Sequence, residues 1–154
     1  MTPNADNLKN TDLTLEGNIA TWVMPRTEGS TGGTYTGTFQ FRCWLSPTQI
    51  LQAGRVLREY LGEHAKLATE TEFNLAYALS QLSQRIIKAP PFWSSTLPDS
   101  GLQGNIGDLE VIMLVMDAAD RSQALYQERV AKERELALEQ AIKKAETKLQ
   151  GKNV

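Results

Sequence analysis

Cys43 and His64 are the single cysteine and the single histidine of the 154 residues. Together they have the residue types of a thiolate nucleophile and its base. One histidine and one cysteine fall short of the ligand set of a zinc hydrolase. Cys43 also sits in an alternating apolar stretch, where a free cysteine behaves as a small buried hydrophobe rather than a reactive thiolate. His64, in "GEHAK" just past a helix stop, reads as a solvated loop residue.

Carboxylates come in two close pairs, Glu70/Glu72 and Asp108/Glu110. General acid–base work on a glycoside needs two carboxylates facing each other across a cleft in unlike surroundings. Each pair here opens a predicted helix, where acidic side chains complement the helix dipole, and that role accounts for them. "GLQGNIGD" places Gly101, Gly104 and Gly107 before a long helix. Such a loop can hold an anion on free backbone N–H groups. No βαβ context or Walker lysine accompanies it, and Asp108 would repel phosphate, so loop and N-cap roles take precedence. The residues thus predict no catalytic centre, no metal and no cofactor, and hence no enzyme or small-molecule substrate.

The elements that would position these residues follow from the patterning. Residues 1–34 are polar and read as an extended N-terminal arm and linker. Within it, "LTLEGNIATWV" alternates around Glu16-Gly17-Asn18 as a possible hairpin, and "PRTEGSTGG" reads as flexible linker. "YTGTFQFRCWL" (35–45) alternates with Phe39, Phe41, Cys43 and Leu45 on one face, which predicts a strand. "SPTQ" then makes a capping box of Ser46 and Gln49 with Pro47 at the first helical position, and Gly62 is the stop. A second helix is predicted from about Thr69 to Lys88, ended by Ala89 before Pro90. Residues 90–107 hold three of the six prolines and read as a loop.

From Asp108 there is no proline or glycine until Gly151, and one helix over that stretch would run about 65 Å. Its first part is apolar enough for a core. Residues 127–150 are charged, with a thin stripe of Val130, Leu138, Ala141, Ile142, Ala145 and Leu149. Glu133 and Gln140 interrupt any heptad seam through Tyr126. A helix of this kind projects and finds a partner helix, as in a coiled coil, or frays.

The expected fold is therefore mainly α with a small β element: a short helical bundle, a long projecting C-terminal helix and an extended N-terminal arm. Its divisions are arm 1–34, compact core 35–126, and charged helix and tail 127–154. A net charge of −2 gives no drive toward nucleic acid or anionic membrane. From 126 to 154, seven Lys/Arg stand against five Glu with one aromatic, too sparse for a nucleic-acid surface. The opening residues lack a basic start and an apolar core, so no secretory signal is expected. No apolar run approaches a membrane span, and a lone cysteine suits a reducing compartment.

"TFQFRCWLSPTQ", "RIIKAPPFW" and "DLEVIMLV" running into "YQERVAKERE" give Thr38 to Arg129 a resemblance to small proteins of tailed-bacteriophage structural gene clusters. The resemblance implies a virion component assembled in the host cytoplasm, or a soluble cytoplasmic chaperone or adaptor that binds a structural partner transiently. Its partners would be copies of itself and other structural proteins. It carries over no catalytic residue. The aromatic and apolar residues expected at interfaces are Trp22, Trp44, Phe92, Trp93, Leu138, Ile142 and Leu149, although closing the subunit's own core takes precedence as the role of Phe92 and Trp93.

Overall fold

The computed structural model describes residues 12–94 and 108–152. Three strands follow one another, β1 (Leu13–Glu16), β2 (Ile19–Glu28) and β3 (Thr34–Arg42). Helix α1 (Pro47–Leu61), a 3-10 segment (Gly62–Leu67) and helix α2 (Glu70–Arg85) come next. Strand β4 (Ile86–Lys88), the short helix α3 (Pro91–Ser94) and the 44-residue helix α4 (Leu109–Lys152) complete the order. The strands form one antiparallel sheet in the order β1-β2-β3-β4.

This corrects the expected fold: in place of a short helical bundle with a small β element, a four-stranded antiparallel sheet is covered by helices, and the difference is greatest at the N-terminus. From Leu13 onward the chain is not an extended arm: it supplies two strands of a four-stranded sheet. The supposed linker 25–33 is the end of β2 and the turn into β3. Pro25 concealed this. A proline lacks the ladder N–H and is excluded from regular central strands. Here it lies where the β2–β3 register shifts between Met24 and Thr27, beyond the last β1 partner of β2 at Trp22, so it leaves no ladder bond unmade on the β1 side. The second helix also ends earlier than expected. Arg85 is its last residue, and Ile86–Lys88 joins the edge of β3, with Ile86 opposite Phe41.

Alternation gives the sheet one apolar face. Ala20, Trp22 and Met24 of β2 and Phe39 and Phe41 of β3 are all buried. Ala78 and Leu82 of α2 cover them, with Trp93 of α3 and Val111, Ile112, Val115, Met116, Ala118 and Ala119 of α4. The α4 residues recur at three- and four-residue steps, the period of a helix with one buried stripe. Trp22 of β2 donates its Nε1–H to Asp12 Oδ2 at 2.7 Å, and Arg121 of α4 reaches the same carboxylate at 3.4 Å, so Asp12, just before β1, links β2 to the long helix. Arg85 of α2 pairs with Asp120 of α4 at 2.9 Å.

α1 begins as its sequence requires. Ser46 Oγ accepts from Gln49 N, and the Gln49 side chain accepts from Ser46 N. Only Ala53 of this helix is fully buried, because α1 packs on α2 at the rim of the body. Among the described residues no helix is long and apolar enough to cross a membrane.

Candidate interaction surface

The "APPFW" stretch closes the core. Gly37, at φ +146°, allows Pro90 to lie against the backbone of β3, and a Cβ there would collide with the proline ring. Pro90 directs the chain so that Phe92 meets Tyr35 and Phe39 edge-on, at centroid distances of 5.1 and 6.0 Å. Trp93 meets Phe39 edge-on at 5.7 Å. Trp22 and Trp93 are both fully buried in this subunit's own core, so they leave the set of surface candidates. Phe92 is partly buried against the same cluster.

The residues with possible chemistry are placed as follows. Cys43 is buried just past β3, and burial pushes its thiol up to about 11, so at neutral pH it is the protonated, unreactive form. His64 lies in the 3-10 segment between α1 and α2. Glu70 and Glu72 occupy the first turn of α2, with Thr69 Oγ1 accepting from Glu72 N. Both are exposed. Most of the glycine-rich loop, 95–107, lies outside the described residues. No three His, Cys, Asp or Glu side chains gather as a metal-binding group among the described residues.

Asp108 is the exception to this dispersal. Its backbone carbonyl accepts from Val111 N and starts α4, while its carboxylate turns to the tip of the β2–β3 hairpin. There it accepts from Tyr35 OH (2.7 Å), Thr31 Oγ1 (2.7 Å), Thr31 N (2.9 Å) and Ser30 Oγ (3.3 Å). Glu110 accepts from Ser30 N at 2.8 Å. Gly29 passes so near that a Cβ would overlap the Asp108 carboxyl group. The hydrogen bonds, that from Tyr35 first, hold the Asp108 carboxyl below the usual carboxylate range, and Asp108 in turn raises the Tyr35 phenol. The carboxylate fills the tip of its own chain's hairpin. It fastens the sheet to the long helix.

The surface candidates gather along α4. Trp44 follows the inward Cys43, faces outward and stays 48% exposed. It lines a hollow of about 410 Å³ with Tyr126, Gln127, Val130, Ala131 and Arg134. A neighbouring hollow of about 270 Å³ lies between Trp44, Leu45, Ile50, Gln81, Arg85 and Gln123. Arg129 fixes the helix at this level. It donates to Gly17 O in the β1–β2 turn and lies 5.5 Å from the Tyr126 ring centroid.

Beyond this point every residue from 131 to 151 is exposed. Leu136, Leu138, Ile142 and Leu149 are 58%, 62%, 49% and 63% accessible. Leu138, Ile142 and Leu149 thus lie at the surface. Leu136, on the same free stretch, was missed because it falls off the stripe read from the sequence. A third, open apolar hollow of about 300 Å³ lies between α1 and α2, lined by Tyr60, Leu61, Leu67, Leu75 and Leu79 among others.

Comparison of the chain with protein-family models, with curated proteins and with solved structures found no match.

Proposed function

We propose that this protein is a non-enzymatic structural subunit of a multimeric assembly, of the kind implied by its resemblance to tailed-phage structural proteins, and that it grips its neighbours through the distal half of α4. The observation that carries this reading is the fully exposed run 131–151 with four large aliphatic side chains on it. That stretch, about 30 Å long, continues a helix nucleated in the core, so its residues gain only the small propagation term and no packing of their own. Intrahelical pairs such as Glu128–Lys132 at 3.3 Å add only a few tenths of a kcal/mol each. The protonated Cys43 and the self-satisfied Asp108 favour the same reading over an enzymatic one.

A second reading, an assembly chaperone or adaptor, is favoured by the open apolar hollow between α1 and α2, which suits a transiently held partner segment. Particles purified from the native source separate the two. A structural subunit stays in the finished particle, and a chain ended after Val130 is lost from it. A chaperone is absent from the particle although the full chain is present during assembly. A finished particle that keeps the shortened chain at the full chain's level contradicts the first reading.

A further inference from the structure

We infer that the occupant of the exposed α4 face is a second copy of this chain, aligned parallel to the first as a short two-stranded coiled coil. This inference rests on the assembly reading above and names its partner. Ala131, Glu135, Leu138, Ile142, Ala145 and Leu149 follow one another at alternating steps of four and three, the spacing of a coiled-coil seam. All six are exposed. In that register Leu138 and Ala145 are d positions, and Ile142 and Leu149 are a positions. A β-branched residue at a with leucine at d favours two parallel strands. Glu135, also at a, would meet its own copy and confines the apolar seam to Leu138 through Leu149.

Charge selects the orientation. The e flank carries Lys132, Glu139 and Glu146, and the g flank carries Arg134, Ala141 and Lys148. In a parallel pair a g residue meets the e residue five positions on in the other chain, so Arg134 meets Glu139 of the second copy, twice by symmetry. An antiparallel pair sets like flank against like flank. With Ile142 opposite Leu138, Arg134 would face Lys148 and Glu139 its own copy, repulsions that outweigh the attraction of Lys132 for Glu146. The seam starts at Ala131, which also lines the Trp44 hollow, so a parallel copy brings the two bodies together on the Trp44 side.

The test is sedimentation velocity of the full chain from micromolar to millimolar concentration, with substitutions only at exposed positions. The wild type is expected to dimerise, and Leu138→Lys to abolish dimerisation at unchanged melting temperature. Arg134→Glu should raise the dimer Kd about tenfold, because two attractive contacts become repulsive, and adding Glu139→Arg should restore it. Tighter association of Arg134→Glu would mean an antiparallel seam and overturn the parallel pairing. A monomer at every concentration overturns the second-copy occupant. If Leu138→Lys then still removes the chain from its native particle, the assembly reading stands with a different partner; if incorporation is also unchanged, both fall.

Discussion

Asp108 joins two distant parts of the chain through one side chain, since its donors Ser30, Thr31 and Tyr35 all belong to the β2–β3 hairpin. Its folded carboxyl titrates below the ordinary value of 3.8. The stabilisation it gives is therefore complete above the unfolded value and disappears as pH falls through the folded one. Tyr35 has the opposite sign: its raised phenol contributes below the ordinary value of 10.0 and is lost as pH climbs through the folded value. Asp108→Asn should lower the melting temperature by several degrees at pH 7 and flatten the acid limb of the stability curve, measured by thermal melts from about pH 3 to 8. An acid limb identical to wild type would show that the carboxylate contributes nothing there. Cys43 makes a second residue-scale expectation. With its thiol pushed up to about 11 and buried, alkylation at pH 8 should be slow in the native protein and fast in denaturant. Neither fact could be read from sequence in full. The strand period placed Cys43 inward, but the donors around Asp108 lie more than seventy positions away along the chain.

Elements were legible where their signals were local. The capping box at Ser46 and the alternation through Phe39 and Phe41 led directly to α1 and β3. Pro25 and the glycines after it hid the rest of the hairpin, because a bulged strand and a hydrogen-bonded tip look like a linker to any period-two test. Ile86–Lys88 read as helix because nothing in three residues distinguishes a helix end from an edge strand; only pairing with β3 decides it. The surface was legible in part. Leu138, Ile142 and Leu149 were evident as a stripe, but a seam tested through Tyr126 misses the four–three spacing that begins at Ala131. At this scale the close of the core at Pro90–Trp93 is testable. Trp93→Ala should cost about 3–5 kcal/mol in denaturant unfolding, as for other fully buried aromatics. Gly37→Ala should cost about 2 kcal/mol or more, since it both strains φ and meets Pro90. A neutral Gly37→Ala would mean that β3 and α3 are not in such close contact.

The whole molecule divides by burial rather than by chain order. A one-faced sheet, α2 and the first part of α4 form the body, and α1 rides at its rim. The rest of α4 extends from the body without cover. Residues that hold the body together, such as Trp22 and Trp93, are separate from those offered outward, such as Trp44 and Leu138. The proposed partner would cover residues 131–151, which the body leaves exposed. Amide hydrogen exchange across α4, followed as a function of protein concentration, tests this most directly. Val111–Ser122 should be strongly protected at every concentration, because their helix face is in the core. Protection of 131–151 should be weak in dilute solution and rise as the chains pair. Protection of that stretch that is strong and independent of concentration, or absent even in the most concentrated sample, would contradict the account.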